Sequence, residues 1–200
     1  MEPGELITTT ELLDGLRRPG DQAAWEQFDQ RYRPILLGYL RRGGLDENDA
    51  ADVAQETMTD FLREYQRDKY DRDQGRLRSW LIGIARNRVA DARRRAARRR
   101  EARGESAIAD MPDDADHEAI WDAEQRRHIL TLAVQELRDT SRFNTRTLEA
   151  FERVALRQEP LDRVSEELGL SPQEIYNAKN RVVERLREIL QRYEAGFTEG

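Results

Sequence analysis

The stretch "PLDRVSEELGLSPQEIYNAKNRVVERLREIL", residues 160–190, carries the most specific structural pattern in the chain. Apolar residues recur at helical spacing up to Gly169, and Ser171 then opens a second helix as an N-cap that forms a capping box with Glu174. A glycine between two amphipathic helices permits the left-handed backbone of a tight turn. The pattern predicts a helix-turn-helix. DNA recognition is the favoured interpretation, and a purely structural helical hairpin is the alternative.

The second helix of this motif presents polar side chains on its outer face. A helix that enters the major groove of DNA uses such side chains to contact base edges and phosphates. With the capping residue included, the candidates are Ser171, Gln173, Tyr176, Asn177, Lys179, Asn180 and Arg181. Arg185 and Arg187 follow along the same helix and are expected to favour the phosphate backbone.

The remaining sequence also favours helices. Helical periodicity extends over residues 21–40, 45–65, 77–89 and 119–137, and no segment alternates in the manner of a strand. Charged residues make up 37% of the chain, as expected for helices with solvated outer faces. The sequence therefore predicts an all-α protein.

A change of composition divides the chain into two small helical domains. Residues 101–119 are polar, contain Gly104 and Pro112, and lack a sustained apolar stripe, which is typical of a flexible acidic linker. The predicted domains are residues 1–100 and residues 120–200, the second of which contains the helix-turn-helix.

Charge is distributed unevenly along the chain. The net charge is −6, yet residues 86–103 hold nine arginines and two acids, whereas residues 104–124 hold eight acids and no Lys or Arg. Because nucleic acid responds to a local patch more than to the total charge, the acidic total does not exclude DNA binding.

A row of acids marks the face of the 45–65 helix opposite its apolar stripe. Asp49, Asp52, Glu56 and Asp60 recur at helical spacing, with Gln55 beside them. A docking face for a basic partner is the favoured interpretation, and a solvated face is the alternative. Catalysis is least favoured, because no histidine lies near these carboxylates in the sequence.

Several other classes of function lack sequence support. The chain has no cysteine and two histidines, which gives little basis for a metal site, and no Walker-type loop or nucleophile motif is present. We therefore expect a protein that is not an enzyme and needs no cofactor or metal. No apolar stretch is long enough to span a membrane and no signal peptide is recognisable, so a cytoplasmic protein without membrane insertion is expected.

Three motifs together resemble the extracytoplasmic-function group of bacterial sigma factors, which direct RNA polymerase to promoters. "DAADVAQETMTDF", residues 49–61, is similar to the family's helix that binds core polymerase. "RLRSWLIGIARNRVADARRR", residues 76–95, is similar to its segment for promoter melting and minus-ten recognition. The helix-turn-helix is similar to its minus-thirty-five-reading domain, so the resemblance covers nearly the whole chain.

The resemblance implies a role for each matching residue. Those expected to face core RNA polymerase are Asp49, Asp52, Gln55 and Glu56. Those expected at the minus-ten DNA are Arg78, Trp80, Arg86, Asn87 and Asp91, while Arg93, Arg94 and Arg95 would hold phosphates. The minus-thirty-five residues are those of the second helix named above, including Arg185. The implied partners are core polymerase, promoter DNA and an anti-sigma protein.

The sequence departs from the family pattern at two places. Leu77 stands where the family usually carries phenylalanine, and the recognition helix reads "IYNAKNRV", residues 175–182, in place of a serine- and arginine-rich form. The main alternative function is a free-standing helix-turn-helix regulator that binds duplex DNA as a dimer. A carboxylate-dependent nuclease is a more distant one.

Overall fold

The computed structural model describes residues 9–18, 20–71, 75–101, 116–140 and 143–197. Within these ranges the regular structure is helical and there is no strand, which confirms the all-α prediction. Among the same residues, no helix is long and apolar enough to cross a membrane.

The N-terminal unit contains four helices and the first half of a fifth among the residues described. These are α1 (Thr9–Leu16), α2 (Gln22–Arg42), α3 (Glu47–Tyr65), α4 (Leu77–Glu101) and the start of α5 (His117–Thr140).

Aspartates begin two of these helices. The Asp21 carboxylate accepts from the Ala24 amide at 3.0 Å at the start of α2, and Asp46 accepts from the Asp49 amide at 2.9 Å at the start of α3. Between the two helices Gly44 has a φ of 90°, a left-handed backbone that a glycine adopts without steric cost. This local chemistry fixes the turn that brings α3 back against α2.

Aromatic side chains form the centre of the N-terminal core. The rings of Phe28 on α2 and Phe61 on α3 stack with centroids 4.4 Å apart, and Tyr32 lies 4.6 Å from Phe28. The apolar stripes predicted for α3 and α4 are buried, except that Leu62 is half-buried. The buried members are Ala50, Val53, Ala54, Thr57, Met58, Phe61, Tyr65, Leu77, Leu81, Ile84, Ala85 and Val89.

The first half of α5 packs against α2. Trp121 is fully buried, with its ring 6.1 Å from that of Tyr39. His117 Nδ1 forms a 2.9 Å hydrogen bond with the Tyr39 hydroxyl, and burial raises the pKa of this hydroxyl to about 12. Arg42 forms an ion pair with Glu124, which is also buried. This part of α5 is therefore an anchored element of the N-terminal unit.

The two compact units divide within α5, between His128 and Ile129. Most of the predicted linker lies outside the described residues. The predicted limits of residues 1–100, 101–119 and 120–200 stay a prediction.

The C-terminal unit contains the second half of α5 and three further helices among the residues described. These are α6 (Thr145–Phe151), α7 (Leu161–Leu168) and α8 (Pro172–Phe197), with a π-helical turn at Glu152–Leu156. One hydrophobic cluster of this unit is formed by Ala150, Val164 and Ile175, with Val154, Leu168 and Leu170 packed against them.

A short turn joins α7 to α8. Gly169 adopts a left-handed conformation with φ 60°, as the sequence predicted for this position. The Ser165 hydroxyl donates to the Leu170 carbonyl at 2.5 Å across the turn. The predicted capping box is present, since the Glu174 carboxylate accepts from both the amide and the hydroxyl of Ser171, at 2.8 Å and 2.7 Å.

A buried arginine ties α7 to the π-helical turn. Arg153 donates to Glu159 at 2.8 Å and to Glu167 at 2.5 Å, and these hydrogen bonds, first that to Glu159, raise its pKa. The same arginine lowers the pKa of the Glu159 carboxyl. Arg153 thus adds a polar tie to the hydrophobic packing that holds α7 in place.

Candidate nucleic-acid interface and acidic docking face

The acidic row on α3 divides into an exposed part and a part engaged with α4. Asp49, Asp52 and Gln55 are exposed, and the Gln55 side chain accepts from Arg33 Nη2 at 2.8 Å. Glu56 is half-buried and accepts from Arg95 on α4 at 3.0 Å. The face defined by Asp49, Asp52 and Gln55, here called the acidic face, is accessible to a partner protein.

Arg88 joins α4 to α3. It forms an ion pair with Asp60, and its Nη1 lies 3.9 Å from Glu56 and 3.7 Å from Asp91. The hydrogen bond to Asp60 is the main reason why the pKa of Arg88 is raised. Although it belongs to the basic segment, Arg88 was not predicted as a site residue, and the structure gives it a role between the two helices.

The predicted phosphate-binding arginines have different surroundings on α4. Arg94 and Arg95 are exposed, and Arg93 is half-buried. Arg94 donates to Asp91 at 2.5 Å, and this hydrogen bond is the largest cause of the lowered pKa of the Asp91 carboxyl. Arg94 and Arg95 therefore both have carboxylate partners within the chain, Asp91 and Glu56.

Two of the predicted minus-ten residues are open to solvent, whereas a third is held by the core. Arg86 and Asn87 are adjacent and both exposed on α4. Trp80 is half-buried, with its ring stacked 5.0 Å from Tyr70 and edge-on to Phe61 at 5.2 Å. The Trp80 ring therefore supports the aromatic core while part of it remains accessible.

Arg78, at the start of α4, is bound by acids of α5. Its Nη1 donates to Asp122 at 2.6 Å and its Nη2 to Glu118 at 2.9 Å. Ser79 also donates to Glu118, at 2.8 Å, and this bond is the first cause of the lowered pKa of the Glu118 carboxyl. The sequence offers a weak signal for these acids, which stand four residues apart on one helix face. It gives no indication that they meet Arg78.

The outer face of α8 is exposed along its first half. All eight predicted minus-thirty-five residues lie at its surface: Ser171, Gln173, Tyr176, Asn177, Lys179, Asn180, Arg181 and Arg185. Tyr176 is the most prominent apolar side chain among them, with 60% of its surface exposed. Gln173 donates to Asn177 at 3.1 Å, and Arg185 donates to Glu188 at 2.7 Å. This face offers amide, phenol and cationic groups to a groove.

The described residues contain no group of three or more His, Cys, Asp or Glu side chains placed to hold a metal ion.

Comparisons with known proteins assign part of this chain to a domain family. Residues 28–99 match the model of sigma-70 region 2. Over 131 residues the chain is 24% identical to the ECF RNA polymerase sigma factor RpoE of Cereibacter sphaeroides, covering 66% of this chain and 70% of that protein. A solved structure of CnrH in complex with the cytosolic domain of CnrY is 22% identical, with a TM-score of 0.36 over 90% of this chain and 96% of that one.

Proposed function

We propose that this chain is a sigma factor of the extracytoplasmic-function group, which binds core RNA polymerase in the cytoplasm and directs it to specific promoters. It is a non-enzymatic initiation factor in this proposal, and the polymerase supplies the chemistry of RNA synthesis. The observation that carries the proposal is the match to region 2, because residues 28–99 include both the acidic face and the exposed α4 residues.

The acidic face is the proposed contact with core polymerase. Asp49 and Asp52 are exposed, and among the described residues neither carboxylate has an ion-pair partner, so both are available to basic residues of another protein. Glu56 belongs to the same proposed contact but also holds Arg95. Charge complementarity of this kind increases association rate and selects the partner.

Promoter recognition is assigned to two helices. On α4, Asn87 is proposed to read a minus-ten base, because an amide presents both donors and an acceptor, and the neighbouring Arg86 is proposed to hold phosphate. Arg78, Trp80, Asp91 and Arg93 to Arg95 complete the proposed minus-ten region. The outer face of α8 is proposed to enter the major groove at the minus-thirty-five element.

Reconstituted transcription tests the whole proposal. Purified core polymerase is mixed with a library of duplexes carrying randomised upstream sequence, with and without this chain, and RNA start sites are mapped. We expect transcripts with a shared pair of upstream elements only when the chain and core are both present. Sequence-specific duplex binding by a dimer of the chain alone, without any core-dependent transcript, would instead support a free-standing regulator.

Charge reversal tests the docking contact. The Asp49→Lys/Asp52→Lys variant is expected to bind core polymerase about tenfold more weakly or worse, because attraction at the contact becomes repulsion. Asp14→Lys/Glu26→Lys makes the same change of net charge at exposed positions of α1 and α2 and should bind as the wild type does. Equal affinity of the two variants, with unchanged circular dichroism, would contradict the assignment of the acidic face.

A further inference from the structure

Where α4 contacts α5, hydrogen-bond donors of α4 form a positively charged site, and carboxylates of α5 occupy it. Three donors, namely both terminal nitrogens of Arg78 and the hydroxyl of Ser79, converge on two carboxylates of α5. The Nε of Arg78 is buried and has no hydrogen-bond partner among the described residues. Arg78 therefore retains unused donor capacity even though two acids contact it.

This set of donors suits a phosphodiester as well as a carboxylate. An arginine fork binds either group through two parallel charge-assisted hydrogen bonds, and a neighbouring hydroxyl adds a third donor. Glu118 accepts from these donors through both of its carboxylate oxygens, and Asp122 accepts through one. The two acids thus satisfy the site in the manner that a nucleic-acid backbone would.

The acids are held at the site by the packing of α5. Trp121 lies between them in sequence and is fully buried beside Tyr39, and Glu124 forms an ion pair with Arg42 on the same side of the helix. Because α5 is anchored in this way, the carboxylates have a high local concentration at Arg78. DNA phosphate has to compete with them.

We propose that Arg78 and Ser79 form a binding site for a backbone phosphate of the promoter, and that Glu118 and Asp122 occupy this site until DNA displaces them. The inference rests on the proposed function, in which Arg78 belongs to the minus-ten region. The first half of α5 then limits the affinity for promoter DNA, which reduces binding to weak sites.

The strength of this competition depends on how far the two ion pairs of Arg78 are exposed to water. The side chains of Arg78, Asp122 and Glu118 are 23%, 33% and 51% exposed, so water screens the two ion pairs in part. Pairs of this kind each contribute modestly, and releasing both is expected to increase DNA affinity by about three- to tenfold.

The test uses the full chain bound to core polymerase and a fluorescein-labelled promoter duplex recovered from the randomised library. Anisotropy measures the affinity of the wild type, of Glu118→Gln/Asp122→Asn, and of a control, Asp14→Asn/Glu26→Gln, which has the same net charge as the first variant. We expect about three- to tenfold tighter binding for the α5 variant relative to the control. In an Arg78→Ala background the same two neutralisations should change nothing.

Two results would overturn the inference. One is equal affinity of the α5 variant and the control, and the other is a gain that persists in the Arg78→Ala background. If the library yields no core-dependent promoter, the proposed function itself fails and this inference fails with it. A recovered promoter on which the α5 variant gains nothing overturns the inference alone.

Discussion

Replacement of Gly38 by alanine is expected to destabilise the N-terminal unit, although alanine is the better helix former. Gly38 lies inside α2 where α5 passes close by. A Cβ atom at this position would lie 2.8 Å from Cδ and 3.0 Å from Cγ of Glu124. Because these distances are shorter than van der Waals contact, Glu124 would have to move away and give up its ion pair with Arg42.

The two opposing contributions can be compared. Alanine in place of glycine inside a helix stabilises by about 1 kcal/mol. Glu124 is only 6% exposed, whereas the Arg42 side chain is 49% exposed, so the lost charge-assisted bond costs about 2 kcal/mol, toward the lower end of its usual range. Gly38→Ala should therefore destabilise by about 1 kcal/mol. In a Glu124→Ala background, where the clash is absent, it should stabilise by about 1 kcal/mol.

Urea unfolding followed by tryptophan fluorescence measures this change of sign. Trp25, Trp80 and Trp121 are the three tryptophans of the chain and all lie in the N-terminal unit, so the signal reports on that unit. This matters because a chain with two compact units need not unfold in one step. Gly83→Ala is the control: a Cβ there meets nothing within 4 Å, so it should stabilise in both backgrounds. If Gly38→Ala behaves like this control, α5 does not pack on Gly38 and the reasoning fails.

Three further predictions concern the turn, the cap and the division of roles on α4. Gly169→Ala should destabilise the C-terminal unit by about 1–2 kcal/mol in thermal unfolding, because a Cβ there meets no atom within 4 Å and only the left-handed backbone is penalised. Ser171→Ala should cost about 1 kcal/mol near neutral pH. Hydrogen bonds from Ser171 hold the pKa of the Glu174 carboxyl below its ordinary 4.5. Their contribution to folding stability is therefore present above pH 4.5 and lost as the pH falls through the pKa of the folded state. The stability of Ser171→Ala should depend less on pH in this range. Asn87→Ala should change the relative binding free energies of minus-ten variants by about 1–3 kcal/mol and so change their order of preference. Arg94→Ala should weaken binding to all promoters alike and reduce the slope of log affinity against log salt concentration by about one. The reverse pattern in transcription assays would refute this division.

The parts of the fold that depend on local sequence were predictable. The buried stripe of α3 follows from its helical period, and the left-handed Gly169 and the Ser171 cap follow from residue chemistry within a few positions. Helical periodicity does not distinguish α6 from the π-helical turn that follows it at residues 152–156. The Glu159 amide bonds to the Arg153 carbonyl at 2.9 Å just beyond this turn, a contact that periodicity does not register.

The contacts around the candidate site could not be predicted in the same way. Arg78 meets Glu118 and Asp122 about 40 residues later in the chain, and helical phase carries no information about such pairs. Trp80 was expected at a DNA-facing surface, and helical phase gives no sign that its ring also packs on Tyr70, which lies outside α4. Sequence reasoning therefore located the charged segments and did not determine which charges neutralise one another.

The ion pairs within the chain determine how much each arginine of α4 can contribute to DNA affinity. Arg88 lies between Asp60, Glu56 and Asp91, so a phosphate that bound it would break its ion pair with Asp60 and weaken the contact between α3 and α4. The exposed Arg86 has no ion-pair partner among the described residues, so its binding to phosphate breaks no such tie. The net gain from a phosphate contact is its attraction minus that of the pair it replaces. An exposed arginine without a carboxylate partner therefore contributes more to promoter affinity than an arginine that already joins two helices.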